Sequence, residues 1–238
     1  VAHEGAVAGR LGLRGIPAVS ESIAVARDAA LAAYEGGRIH VCHVSAAATV
    51  DEIRAAKARG VAITAEVTPH HLLLDDGALV DLDPGRHKMN PPLRAPEDRE
   101  VLVDALIDGT IDCVATDHAP HAANEKDVPF AEAPFGVTGL ETAFAACHTG
   151  LVRTGRMDLA TLVRRMSADA ASVLELEPPT LAEGAVANLA VIDPEAEWVV
   201  GEAPFQSRSS NNAFVGRRLT GRIELTIAGG QTAWRRER

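Results

Sequence analysis

The chain has 238 residues, 47% hydrophobic and only 3% aromatic, with a formal net charge of −10. That is ordinary globular composition, long enough for a large core and one or two domains. The acidic balance argues against a general nucleic-acid binder, which needs a basic face; no apolar stretch approaches membrane-spanning length, and no signal peptide is visible.

Cys42, Cys113 and Cys147 are odd in number and widely spaced. They read as reduced, buried thiols of a cytosolic protein, not as a disulfide or a Cys-based zinc framework. With so few aromatics, the core must be built from small and β-branched side chains.

His3-Glu4 lacks the second histidine of an H-E-x-x-H zinc motif, so His3 is not taken as a ligand. Residues 20–34 read as a helix: Ile23, Ala26, Ala30, Leu31 and Tyr34 are near helical spacing, and Gly36-Gly37 ends the run. Residues 39–45 follow as a strand, with Ile39, Val41, His43 and Ser45 on one face and His40 on the other. Thr49-Val50-Asp51-Glu52 is a capping-box pattern that opens a helix to about Arg59, and Gly60 suits its stop. Val61 to Thr68 is the next strand. Strand, helix, strand at this spacing is a βαβ unit, so the sheet is parallel and its strands are expected to be buried on both faces. A histidine there, such as His43, is either a satisfied core group or a site residue.

Thr68-Pro69-His70-His71 closes the second strand. Neighbouring side chains point opposite ways, so turn and packing chemistry is the expected role of this pair. Lys88 to Arg94 is stiffened by Pro91 and Pro92. Within it, Asn90 either initiates a turn or offers a donor and an acceptor to an amide edge. Glu97 to Ile107 reads as a helix stopped by Gly109. The apolar run Ile111 to Ala115 is a third strand, with Ile111, Cys113, Ala115 and Asp117 on one face. It delivers a carboxylate from its C-terminal end, followed by His118, Pro120 and His121. Those groups suit metal binding or proton transfer; a polar loop with a capping Asp is the plain alternative. Beyond Lys126, Gly136 either admits close backbone approach by a ligand or makes an ordinary turn. Residues 138–149 and 158–174 are expected to be helical. After Glu177-Pro178-Pro179-Thr180 come short strand-like runs, 188–193, 198–200 and 222–227, too few to make an independent domain easily.

Ala115-Thr116-Asp117, Ala119-Pro120-His121 and Lys126 together resemble the second signature of the dihydroorotases of the amidohydrolase superfamily. The resemblance extends through His43-Val44-Ser45, Glu66 to Leu72, Asn90 to Arg94, Gly139 to Thr142 and Gly184 to Leu189, and is closest to the bacterial class I enzymes. It implies an α/β chain that forms part of a (β/α)₈ barrel, about strands six to eight with their helices, over residues 1–178. Residues 179–238 would then belong to a small β-sandwich. It implies that His43 is a zinc ligand and that Asp117 is both a zinc contact and the catalytic carboxylate. Asn90 and His121 would bind the substrate's ring and carboxylate, helped by Phe135 and the backbone at Gly136. The implied reaction is reversible cyclisation of N-carbamoyl-L-aspartate to dihydroorotate in pyrimidine synthesis. One or two zinc ions would serve it in a cytoplasmic enzyme that acts on a small molecule, with homo-oligomerisation or association with aspartate transcarbamoylase as partnerships.

The chain departs from the family in one respect. The family carries a His-x-His pair on its first barrel strand and further ligands, an Asp and a His, on the fourth and fifth. No His-x-His occurs here, and counted against the family this chain starts after the fifth strand. Two ligands are too few for a zinc site, which takes three or four, so the expectation is a chain inactive and poorly stable by itself. The alternatives are an allantoinase or hydantoinase, a non-catalytic dihydroorotase-like subunit that scaffolds aspartate transcarbamoylase, or complementation by another chain.

Overall fold

Three parallel strands and the helices that connect them organise the chain. The computed structural model describes residues 1–236. In order, the elements are β1 (Ala2–His3), α1 (Ala6–Leu11), β2 (Gly15–Ile16), α2 (Val19–Glu35), β3 (Arg38–Val41), α3 (Ala47–Ala58), β4 (Ala62–Val67) and α4 (Pro69–Leu73). A 3₁₀ turn at Asp76–Asp81 leads to α5 (Pro84–His87), α6 (Pro96–Asp108), β5 (Cys113–Val114), α7 (Ala123–Lys126) and α8 (Ala143–Cys147). A π-helical turn at His148–Val152 is followed by α9 (Leu159–Met166), α10 (Ala168–Val173), β6 (Leu189–Val199), β7 (Arg218–Ala228) and β8 (Gln231–Arg235).

The central sheet has the order β3-β4-β5, all parallel. Each strand joins the next through a helix, α3 and then α6, as parallel pairing requires. Those helices bury the sheet's outer face. Ile63, Ala65, Val67 and Val114 of the strands meet Val50, Ile53 and Ala56 of α3, Leu102 and Leu106 of α6, and Val25 and Ala29 of α2. The spacings 50/53/56 and 25/29 are helical stripes. Lys57 locks the layers together: its Nζ lies 2.8 Å from Asp112 Oδ1, and Asp112 Oδ2 in turn accepts the Ala65 N–H at 2.8 Å.

The inner face is not buried as expected. His40, Thr64 and Glu66 are half-exposed, and Cys42 is exposed, unlike Cys113 and Cys147. Among the described residues, the apolar packing against this sheet is on the other side.

Several boundaries also differ. α3 starts at Ala47 and has no side-chain cap of its own, so the pattern at Thr49 lies inside its first turn. The helix expected at 138–149 starts only at Ala143, because Thr138 is bridged to Asn212 and residues 139–142 form a turn. The helix expected at 158–174 is two helices broken at Ser167, whose φ and ψ of −135° and −82° are not helical. The runs at 188–193 and 198–200 are a single strand, β6. It pairs antiparallel with β7 through register shifts at Val191/Ile192 and Asp193/Glu197, and β8 completes a three-stranded sheet.

The tail does not stand apart. Val200, Ala213, Phe214 and Leu219 share a second core with Leu74, Met89, Leu93, Val137 and Ala145. No helix among the described residues is long and apolar enough to cross a membrane.

Ile53→Ala is expected to cost about 2–5 kcal/mol of stability through lost burial and the cavity left behind. Ile23→Ala, on the exposed side of α2, should stay within about 0.5 kcal/mol. Urea unfolding of both variants checks the assignment of the core.

Candidate active site

Parallel strands connected across one face present their C-terminal ends at a common rim. His43 follows β3, Thr68 to His71 follow β4, and Asp117 follows β5. Four non-glycine residues adopt positive φ among the described residues, and two of them are His43 (43°) and Asp117 (45°). Each such residue costs on the order of 1–3 kcal/mol and persists only where its surroundings hold it.

The contacts that hold the turn after His43 are visible. The Glu21 carboxylate of α2 accepts the Ser45 N–H at 3.0 Å, the Ala46 N–H at 3.1 Å and the Ser45 hydroxyl. Asp98 accepts the Ala47 N–H at 2.8 Å. Two carboxylates from other helices thus satisfy the first N–H groups of α3. Arg94 is buried against them. Its Nε donates to Ser45 Oγ at 3.0 Å, its Nη1 donates to the Ile16 carbonyl at 2.7 Å, and its Nη2 lies 3.5 Å from Glu21. Burial works to raise the Glu21 pKa, but the Ser45 hydroxyl, the Ser45 N–H and the Arg94 charge outweigh it and hold the carboxyl below its ordinary value. Arg94 therefore supports the rim from beneath. His3 lies beside it, 3.5 Å from Nη1, and is likewise not part of a ligand cluster.

His70 and His71 are both buried in α4. His71 Nε2 donates to the Pro91 carbonyl at 2.9 Å, which leaves Nδ1 to accept from the Thr68 hydroxyl at 2.8 Å. That pairing makes His71 the neutral tautomer, and burial drives its pKa down to about 4. This is packing chemistry, as expected. His70 differs, because its Nε2 is buried with no protein partner. Burial, then the nearby His71 and His43, push its pKa well below the ordinary range.

A second group of predicted residues clusters around Gly136, whose N–H donates to the Lys88 carbonyl at 2.8 Å, two residues before the exposed Asn90. Gly136 has φ 125°, and a Cβ there would meet Ala119 Cβ at 2.5 Å and His121 Nε2 at 3.1 Å. Glycine is required on both counts. His121 Nε2 donates to the Phe135 carbonyl at 2.8 Å, and its Nδ1 lies 3.5 Å from Glu125. Lys88 Nζ sits 4.6 Å from the Phe135 ring centroid and donates to the Phe130 carbonyl at 2.7 Å. Lys126 donates to the Pro134 carbonyl at 2.8 Å, and burial, then the Lys88 charge, push its pKa down to about 8.

Asn211, which sequence reasoning missed, organises this loop. Its amide nitrogen donates to the Ala119 and Gly136 carbonyls at 3.2 and 3.1 Å, and its Oδ1 accepts the His121 N–H at 3.3 Å. No local pattern marks Asn211, because its partners lie 75–92 residues away. Glu21 and Arg94 were missed for the same reason.

The structure thus joins His121, Phe135 and Gly136 directly and, through the Lys88 carbonyl, ties the segment leading to Asn90 to them. His43 lies near enough to His70 and His71 for its charge to lower their pKa values, and Asp117 near enough to Cys42 for its charge to raise the thiol's. A cleft of about 540 Å³ includes His121, Lys126 and Asn211 in its wall, but neither His43 nor Asp117. His43 Nδ1 is buried without a protein partner. An imidazole with an unpartnered nitrogen and a carboxylate, both at the strand rim, fit as part of a zinc donor set. Among the described residues no third His, Cys, Asp or Glu gathers with these two.

Comparison with known proteins gives a consistent result. Residues 24–233 match the model of the amidohydrolase family. A dihydroorotase of Anaeromyxobacter dehalogenans strain 2CP-C is 51% identical over 232 residues, which are 97% of this chain and 53% of that protein. A dihydroorotase of Listeria innocua serovar 6a is 46% identical over 234 residues, 98% of this chain and 55% of that one. Among solved structures, a D-hydantoinase from Bacillus sp. AR9 superposes with a TM-score of 0.83 at 28% identity, covering 92% of this chain and 50% of that chain. A D-hydantoinase (dihydropyrimidinase) from a Thermus species gives 0.81 at 31% identity, covering 90% and 48%. The chain spans about half the length of the curated relatives it matches.

Glu21→Ala strands the buried Arg94 guanidinium and is expected to destabilise the fold by about 3–5 kcal/mol, as removing one partner of a buried pair does. The sign of the pH effect follows from the lowered Glu21 pKa. Its stabilisation is complete above the ordinary value of 4.5 and is lost as pH falls through the lower folded value. Denaturation midpoints measured from pH 7 to pH 3 should fall more steeply in the parent chain than in Glu21→Ala.

Proposed function

The chain belongs to the amidohydrolase family, and from that premise we propose that it supplies barrel strands six to eight and part of the terminal sandwich of a dihydroorotase. The reaction is opening or closing of the dihydroorotate ring, on the cytoplasmic route to pyrimidines. What carries the proposal is the pair His43 and Asp117, two zinc-type donors held at positive φ on either side of β4. Strain concentrated at two residues of the right chemistry is a mark of a functional site. The 46–51% identity to dihydroorotases supports the choice of substrate.

A cyclic amide is a poor electrophile and water a poor nucleophile at neutral pH. Zinc, one or two ions, when bound by His43, Asp117 and ligands outside the described set, supplies a water of pKa about 7 and a polarised carbonyl. The chain's own residues do the rest. Asp117 takes a proton from the attacking water and returns it to the departing ring nitrogen. Asn90 offers donor and acceptor together to the ring's imide edge. His121 meets the substrate carboxylate, which requires its Nε2–H to leave the Phe135 carbonyl or its Nδ1 to be protonated. The Gly136 backbone lies within reach of the same imidazole.

A second reading, a hydantoinase-type cyclic amidase, is favoured by the folds of the superposed structures. A non-catalytic partner of aspartate transcarbamoylase would have no need to keep His43, Asp117 and His121. Self-association and a transcarbamoylase complex remain proposals that follow from the family.

Turnover of dihydroorotate, hydantoin and allantoin, measured on this chain and on a protein that adds the remaining length of its relatives, tests the assignment. Dihydroorotate should be turned over only by the longer protein, and Asp117→Asn there should lower kcat by about 10²–10⁴-fold. Turnover by the 238-residue chain itself overturns the two-donor argument, and hydantoin as the preferred substrate overturns the choice of ring.

A further inference from the structure

A cleft of about 430 Å³ lies between the helices that follow β4 and those that follow β5, and none of the candidate site residues lines it. Four arginines do, Arg99 and Arg156 beside α6 and Arg217 and Arg218 at the start of β7, against a single carboxylate, Glu100. In a chain of formal net charge −10 that local balance is reversed. We propose that this cleft binds a small phosphate monoester, with the phosphate at Arg217 and Arg218 and the organic part on the apolar floor. The proposal goes beyond the dihydroorotase reading and stands without it.

The four arginines differ in what they are free to do. Glu100 accepts from Arg99 Nη2 at 2.9 Å and from Arg156 Nη1 at 2.8 Å. Arg156 Nη2 also donates to Asp104 at 3.1 Å, and Arg99 Nη1 lies 3.3 Å from Asp75. Those two guanidiniums are neutralised within the fold. Arg218 pairs with Glu197 at 3.4 Å, where both side chains are mostly in solvent, and among the described residues Arg217 forms no ion pair. The charge left over suits a phosphate monoester, which carries about −1.5 to −2 at neutral pH. The guanidinium fork also matches phosphate oxygens two at a time. The backbone that presents this pair is fixed in advance: the Arg217 N–H donates to the Phe214 carbonyl at 2.9 Å, and the Arg217 carbonyl accepts the Val200 N–H at 3.0 Å.

The floor is apolar. Leu72, Val103, Leu151, Phe214 and Leu219 line it and are all buried. An apolar pocket with a few convergent polar groups, within about 300–1,000 Å³, is the usual form of a small-molecule site. Thr149, Gly150 and Leu151 of the lining belong to the π-helical turn, and such turns recur at functional sites. A Cβ on Gly150 would meet Leu73 Cδ2 at 2.3 Å, so the turn is pressed onto α4 and closes the floor. The walls are elements that pack on one another within this chain: α4 against both α6 and α8, and β7 against α8 and the π-helical turn. The cleft is therefore bounded on its own, unlike the inner face of the sheet.

Isothermal titration calorimetry tests the site on this chain and on the longer protein, with adenosine and uridine monophosphates, their nucleosides, inorganic phosphate and succinate as probes. The monophosphates should bind at one per chain and inorganic phosphate more weakly, while the nucleosides and succinate give no saturable signal. Arg217→Ala and Arg218→Ala, both at exposed positions, should each weaken binding by about 10-fold, the worth of a charge-assisted hydrogen bond, and Arg217→Lys by less. Arg59→Ala, at an exposed position outside the cleft, should leave binding unchanged. Where the two proteins differ, the longer one decides. Absence of saturable monophosphate binding there, equal binding of succinate or the nucleosides, loss of binding in Arg59→Ala, or full affinity in the Arg217→Ala Arg218→Ala double variant overturns the proposal. None of these outcomes depends on whether dihydroorotate is the substrate.

Discussion

A single buried carboxylate holds the rim of this molecule in shape. Glu21 receives two backbone N–H groups and a hydroxyl from the turn after β3, and it faces the Arg94 guanidinium. Arg94 in turn reaches the β2 segment through the Ile16 carbonyl. Helix α2, the start of α3, the proline-rich segment and the N-terminal strands therefore meet at one charged centre. Its worth lies less in net stability than in specification, since a buried pair repays its desolvation only when every lone pair and proton is satisfied. Here that condition places His43 at a backbone conformation it would not otherwise adopt.

The course of the chain was largely legible in the sequence. The helix α2, the left-handed Gly36 and Gly109 that end α2 and α6, and the βαβ rhythm all follow from local chemistry, but the apolar set read for α2 was the wrong face: Ile23, Leu31 and Tyr34 are exposed, and Val25, Ala29 and Ala32 are buried instead. The positions of the candidate residues His43 and Asp117, just past the ends of β3 and β5, were legible as well. What stayed hidden depends on distant partners. The capping pattern at Thr49 loses to carboxylates supplied by Glu21 and Asp98, which move the start of α3 back to Ala47. Asn211 looks like any loop asparagine until its bonds to residues 119, 121 and 136 are seen. The expected burial of Cys42 assumed cover on both faces of a parallel sheet, and the described residues cover only one.

The rim therefore divides into two kinds of chemistry. At the strand ends stand groups whose buried nitrogens lack partners, His43 and His70. Around Gly136 almost every polar group is already satisfied from within: His121 by the Phe135 carbonyl, Lys126 by the Pro134 carbonyl, Gly136 by the Lys88 carbonyl. On the function proposed above, the first set accepts something from outside. The second is arranged to keep a loop in place, and a ligand that enters it must exchange one bond for another.

Asn211 has a further consequence. The residue lies 33 positions past Pro178, close to the strands of the tail, yet its side chain bonds three backbone groups of the loop that carries His121 and Gly136. The anchoring of the tail and the order of that loop are thus one equilibrium rather than two. By reciprocity, whatever binds against the loop also strengthens the hold of the tail, and protection of the tail from proteases or solvent exchange becomes a reporter of events at the rim.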